Sequence, residues 1–376
     1  MTCYLNQHYV PKYYFRMFTG GSQYIHILLN VHGRIIKNAS IKGQCAKSRF
    51  YGTNNIEMIF SQLEANHSKA LRQIIDQAWS PQPEQFESKH LAWLWEAILF
   101  QHARTELQIK KTAPAIGAFW MELFKDHLKR KADSDFYSKF IKEVKDGHVT
   151  ISEPPQATSL RSIEIAMEGR LLISDLDLHI LRNFSDYPFV FSDSPVVFCN
   201  TYYQNVTNRG VLGLQTPGLQ IFYPLDSATM VMLSDDNVYK GNQLKSIFID
   251  ITERSDISQL NAIQLHHSMN TIYFAYADDE EYITSLWWAH KNRIIPPKID
   301  FRMREGWLVD GKPPEGTLYQ IYEPQLNIKL DLSFIECAPA KAKDFKFRRR
   351  NPELVEEHKK QILEKEHTST RRISKK

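Results

Sequence analysis

An α+β fold is predicted by three observations. Long apolar repeats at helical spacing dominate the first half of the chain. Short apolar runs, alternating or ending in turns, dominate the second half. No strand-helix-strand alternation with a glycine loop occurs, which argues against a doubly wound nucleotide fold. The expectation is a helical layer from the N-terminal half packed on a mixed or antiparallel sheet from the C-terminal half. It fills one domain, 1–340, with a helical part over 55–172 and a sheet part over 173–340; the only linker-like stretch is 147–159. A basic, partly helical or disordered tail, 341–376, follows.

Taken in order, Pro11 suits the first turn of a helix, and Tyr14, Met17 and Phe18 recur at helical spacing behind it. Residues 24–31 and 34–41 are β-rich and flank His32-Gly33, a hairpin signature. From 55 to 78, Ile56, Ile59, Phe60, Leu63, His67, Ala70, Leu71 and Ile74 keep a 3.6-residue period, with Asn55 as N-cap. Residues 84–111 repeat that period through Leu91, Leu94, Ala97, Ile98 and Gln101. Further helices are expected over 115–130, 133–145 and 159–172. Strands are expected over 176–183, 189–191, 196–199, 219–223, 230–233, 246–251, 271–275, 318–322 and 328–335. Helices are expected over 255–269 and 278–293, and a charged helix over 353–366 that packs on nothing.

Composition limits the function classes. Hydrophobic residues at 43% and aromatics at 12% suffice for a sizeable core and exclude global disorder. No window approaches the roughly 20 apolar residues of a membrane span, and no apolar signal core follows the first six residues, so a cytoplasmic protein is expected. Cys3, Cys45, Cys199 and Cys337 are scattered without a C-x-x-C pair, which fits neither a disulfide framework nor a cysteine zinc site. The net charge of +4 is uneven: the tail holds thirteen Lys or Arg against six Asp or Glu, leaving the body slightly acidic. Only the tail reads as a polyanion contact, or else as solvated chain.

Glycine phosphate loops, H-E-x-x-H and G-x-S-x-G are absent, and His266-His267 has no third ligand at helical spacing. Four constellations remain. Asn6-Gln7-His8-Tyr9-Val10-Pro11 sets an imidazole beside a helix start, where it can act as a base, bind a phosphate oxygen or simply cap the helix. Gln101-His102-Ala103-Arg104-Thr105 turns Gln101 and Arg104 toward the core. Such a pair suits a bound phosphate or carboxylate, or a structural ion pair with Glu64 or an Asp. The segment 189–197 delivers Ser192 and Asp193 to a sharp turn before Pro195, as an active-site carboxylate or as plain turn chemistry. Lys47-Ser48-Arg49-Phe50-Tyr51 combines basic and aromatic groups, which suits phosphate contact with base stacking or a solvated face over a buried Phe50.

Five motifs stand in order: N-Q-H-Y-V-P at 6–11, K-x-x-F-Y at 47–51, Q-x-x-R-T at 101–105, F-x-x-S-D-x-P at 189–195 and Y-P-L at 223–225. Together they resemble a bacterial domain-of-unknown-function family whose members open with N-x-H-Y-V-P and carry S-D-x-P mid-chain. The resemblance covers about residues 4–275 and stops short of the tail. The family has no settled activity, so the resemblance implies positions rather than a reaction: His8, Lys47, Gln101, Arg104 and Asp193.

Two readings follow. The first is a metal-dependent nuclease or other phosphodiester hydrolase. Asp193, with Glu64 nearby, holds Mg²⁺; His8 or Lys47 activates water; Arg104 stabilises the phosphorane; Asn6, Gln101 and Ser192 bind substrate; and the tail, 341–376, holds nucleic acid by counterion release. The second is a non-enzymatic sensor or interaction protein in which the same polar residues fix the core or bind a small ligand. The first requires those residues to line one open pocket; the second lets each be buried with its own backbone partner.

Overall fold

The computed structural model describes residues 6–52, 54–131, 133–206, 209–292, 299–304, 318–341 and 348–373. Within them the chain is α+β. The N-terminal part runs β1 (Asn6–His8), α1 (Lys12–Phe18), β2 (Tyr24–Leu29), β3 (Arg34–Ser40), β4 (Ala46–Ser48), α2 (Asn54–Ala78), α3 (Ser88–Ala103), α4 (Glu106–Lys131), α5 (Ser134–Lys145) and α6 (Pro155–Glu168). Then come β5 (Asp177–Asn183), β6 (Phe191–Ser192), β7 (Val197–Cys199), β8 (Gln220–Pro224), β9 (Thr229–Ser234), β10 (Phe248–Ile251), α7 (Arg254–His267), β11 (Thr271–Phe274), α8 (Glu280–His290), β12 (Asp300–Arg304), β13 (Leu318–Tyr322) and α9 (Pro352–Ile373).

The larger sheet has the order β10-β5-β9-β8-β7 and is mixed, with only β10 and β5 parallel. Both of its faces are covered, which is why β9 reads Thr-Met-Val-Met-Leu-Ser and is buried throughout. Val231 and Leu233 point into a cluster with Leu71, Ile74, Ala78 and Leu94 of α2 and α3. Met230 and Met232 point the other way, against Ile257, Leu260 and Ile263 of α7. The strand pleat divides alternate residues between the two layers.

The expected split of helices and strands by halves is corrected by the second sheet. Its order is β3-β2-β11-β6, so the N-terminal hairpin pairs with a strand some 240 residues away, Thr271 opposite Leu29 and Phe274 opposite His26. Elements are interleaved because the hairpin needs a partner for its free edge, and a local period cannot name that partner. The hairpin itself is where the sequence places it. Gly33 sits in the turn at φ +66°, and a Cβ there would lie 2.5 Å from the Trp287 ring.

Three boundaries differ from expectation. The helix expected over 84–111 is two helices that break at Arg104-Thr105. Thr105 Oγ1 accepts the Gln108 N–H at 3.3 Å and so caps α4, whose span absorbs the helix expected over 115–130 and runs through Pro114. The strand expected over 328–335 is extended chain outside any named strand. Leu330, Leu332 and Phe334 alternate into the core as predicted, but side chains of α7 replace a neighbouring strand: Gln259 Oε1 accepts the Asp331 N–H, and Asp256 accepts the Ser333 N–H at 3.0 Å. The charged helix α9 does pack on the body. Val355 is buried, and the His358 ring meets the Glu168 carbonyl at 3.0 Å. The side chain of Asn55, the expected cap of α2, lies outside the described residues.

Candidate polar site at the α3–α4 junction

The break between α3 and α4 collects most of the motifs. Arg104, which caps the C-terminus of α3, is 2% exposed. Its Nη1 donates to Glu64 Oε1 at 2.6 Å, its Nη2 to the His8 carbonyl at 2.6 Å and its Nε to the Tyr51 hydroxyl at 3.0 Å. The guanidinium also lies over the rings of Phe100, Tyr51 and Phe60, 4.6–5.6 Å from their centroids. Burial works against its charge, but Tyr51 and Glu64 outweigh that and hold it protonated. Gln101 Nε2 donates to the Tyr9 carbonyl at 3.0 Å. Gln7 Oε1 accepts the Tyr51 N–H at 2.6 Å. The N-terminal motif, K-x-x-F-Y and Q-x-x-R-T are thus one hydrogen-bonded unit.

The other sequence-selected residues sit around this hub. Asn6 is exposed at the start of β1, opposite Ser48. The His8 ring meets the Lys42 carbonyl at 3.2 Å, and burial, with Lys12 second, holds it neutral with a pKa of about 4. Lys47 Nζ pairs with Glu106 at 2.5 Å, and Lys110 joins the same carboxylate at 3.0 Å. Burial would raise the Glu106 pKa, yet the two ammonium groups prevail and lower it.

Ser192 and Asp193 belong to a neighbouring shell. Ser192 gives its N–H and hydroxyl to Gln264 Oε1. Its Oγ accepts the Ser194 N–H, and Ser194 Oγ is 3.2 Å from Thr105 Oγ1, which ties the S-D-x-P turn to the helix break. Asp193 is buried. Oδ1 accepts the Met269 N–H at 2.8 Å, and Oδ2 accepts those of Asn270 and Thr271 at 2.8 and 3.2 Å. Burial raises its pKa to about 6, against the pull of those three donors. The carboxylate therefore closes the turn from α7 into β11. Among the described residues no group of three or more His, Cys, Asp or Glu stands close enough to hold a metal ion. Asp193→Asn is expected to lower unfolding stability by about 2–3 kcal/mol, because its amide N–H₂ would face donors. Urea denaturation checks this, and an unchanged midpoint would overturn the turn role.

On the other side of the same junction lies a second cluster that the motifs did not single out. His102 Nδ1 donates to the Val196 carbonyl at 3.2 Å, so its Nε2 accepts from Gln108 Nε2 at 3.1 Å. His267 Nδ1 donates to the Ser194 carbonyl at 2.9 Å. The two imidazoles are nearly parallel, 6.3 Å apart, and His102 stacks on Phe198 at 4.0 Å. Burial first, then Lys111, keeps both neutral, with pKa values of about 3 and about 4. The Lys111 side chain is fully buried and meets Glu323 Oε1 at 2.5 Å. Burial alone would raise the Glu323 carboxyl pKa, but the Lys111 ammonium outweighs it. Glu323 also helps line a cavity of about 480 Å³, with Leu172, Leu212, Leu214, Tyr322, Arg348 and Arg349.

One signal for this cluster was present. Lys111 stands on the buried stripe of α4 with Leu107 and Ala115, four residues on either side, where a lysine is out of place. The His266-His267 pair stands out in sequence only as a metal candidate without a third ligand, and nothing around Glu323 marks it.

A family profile matches residues 6–278, with the description "Protein of unknown function (DUF4238)". The chain belongs to the DUF4238 family. No curated protein and no solved structure matches it. The DUF4238 match contains the Arg104 hub, Asp193, His102, Lys111 and His267. Glu323, Arg348 and Arg349 lie beyond it, so the cavity joins the family region to sequence outside it. Among the described residues, no helix is long and apolar enough to cross a membrane.

Proposed function

We propose that this DUF4238 protein is a sensor or interaction protein that binds a small ligand in the cavity floored by Glu323. One observation carries the reading: Glu323, paired with the fully buried Lys111, lines a cavity of about 480 Å³ whose walls include Leu172, Leu212, Leu214 and Tyr322. That volume falls in the range of small-molecule sites, and a buried ion pair at a cavity wall is costly unless something uses it. Further support comes from the motif residues, since His8, Arg104 and Asp193 each have their own backbone partner.

A thermal-shift screen of small metabolites on the full chain tests the proposal. A ligand at 100 times its Kd stabilises the folded state by about 2.7 kcal/mol. Thr216→Phe, a half-buried wall residue enlarged into the cavity, is expected to abolish that shift. The same shift in wild type and Thr216→Phe, or none with any compound, would overturn the cavity site.

A second reading, phosphodiester hydrolysis, draws support from His8, a neutral imidazole near Lys12. Incubation with RNA, single-stranded DNA and duplex DNA, with Mg²⁺ or EDTA, separates the two readings. Metal-dependent cleavage lost in His8→Ala would favour hydrolysis.

A further inference from the structure

We propose that the recess formed by Leu172, Asp175 and the loop 214–216 is a peptide-binding site for an arginine at the start of a helix, and that the chain's own segment 350–373 is its tethered occupant. The recess shares a wall with the cavity but is defined by different atoms, so it stands whatever fills the cavity.

The recess matches a guanidinium on every side. The Arg350 side chain is 2% exposed. Its Nε and Nη2 grip the two oxygens of Asp175 as a fork, at 3.0 and 2.7 Å. Nη2 also donates to the carbonyls of Leu172 and Leu214, each at 3.0 Å, and Nη1 donates to that of Thr216 at 3.2 Å. One carboxylate and three inward carbonyls suit a planar fork, whereas a lysine ammonium carries its donors on one atom and cannot span them.

The main chain beside the arginine is read as well. The Arg350 N–H donates to the Gln215 carbonyl at 2.8 Å, and the Asn351 N–H to Gln215 Oε1 at 2.9 Å. Gln215 Nε2 in turn donates to the Leu172 carbonyl at 2.8 Å, so the body holds this side chain in place. Asn351 Oδ1 accepts the Leu354 N–H at 3.1 Å and caps α9, with Pro352 at its first position.

The occupant is distinct from the body that holds it. Every acceptor named lies inside the family match, which ends at residue 278, and Arg350 lies beyond it. Among the described residues 351–365, Val355 alone is buried. A charged helix with so little apolar contact gains little from packing, so the arginine, with the His358 ring at the Glu168 carbonyl, carries its attachment. Such a segment opens without unfolding the rest of the chain.

The test is fluorescence anisotropy with a labelled peptide of residues 350–373, acetylated at its N-terminus, and full-length Arg350→Ala. In the wild type the tethered segment competes at an effective concentration of about millimolar. The peptide is therefore expected to bind Arg350→Ala at least tenfold tighter than wild type. Peptides with lysine or citrulline at the arginine position are expected to bind at least tenfold more weakly, and adding Asp175→Asn to Arg350→Ala should abolish binding. Equal binding to wild type and Arg350→Ala, equal binding of the arginine and lysine peptides, or no binding to folded Arg350→Ala would overturn the site. Hydrogen exchange on isotope-labelled wild type needs no variant. Amides of residues 354–362 are expected to exchange several-fold faster in a large excess of the arginine peptide and not of the lysine peptide. No acceleration, or the same acceleration by both, would equally overturn it.

Discussion

Replacing Arg104 with Met is expected to destabilise the fold by about 3–5 kcal/mol, the cost of breaking a buried, hydrogen-bonded charge network from one side. The guanidinium reaches the Glu64 carboxylate, the His8 carbonyl and the Tyr51 hydroxyl at once. Met fills the volume between Phe60 and Phe100 but leaves those three acceptors behind. Lys should not rescue it, because an ammonium has no planar fork to span three acceptors in different directions. Guanidinium denaturation of the wild type, Arg104→Met, Glu64→Gln and the double variant checks this. A double variant much less destabilised than the sum of the singles would place the energy in the pair. A small effect of Arg104→Met alone would mean that water enters and the hub is dispensable.

The second large effect is at Lys111. Lys111→Met is expected to cost about 3–5 kcal/mol, since it removes the ammonium paired with the buried Glu323 carboxylate. Lys111→Met combined with Glu323→Gln is expected to regain most of that loss, because a well-packed neutral pair avoids the desolvation of two ions. The comparison separates stability from use. If the double variant recovers the melting temperature but no longer shows the ligand-induced shift, the ion pair serves binding. Recovery of both would mean that the pair is only structural.

The two sites differ in how visible they were. Gln101 and Arg104 announce themselves because polar residues on an apolar helix stripe must find partners, and the Glu64 pairing was one of the partners the sequence suggested. Asp193 was equally visible as a residue delivered to a sharp turn, but its sequence neighbourhood left catalysis and turn chemistry open. Its donors, the N–H groups of residues 269–271, lie more than 75 positions away. Polar residues on α7 gave the least warning: Asp256, Gln259, Asn261 and Gln264 each accept a backbone N–H from a neighbouring segment.

By itself the amino-acid order determined most of the local elements: the majority of the helices and strands, the hairpin turn at Gly33, and which helix stripes must be buried. Side-chain period, turn chemistry and caps act over a few residues, so they are written in consecutive letters. Only the tertiary structure decided that β11 completes the N-terminal sheet, that Arg350 pins the basic segment to the body, and that Lys111 meets Glu323. Those outcomes depend on which surfaces exclude water from each other across 100 to 250 residues, and no local pattern carries that information.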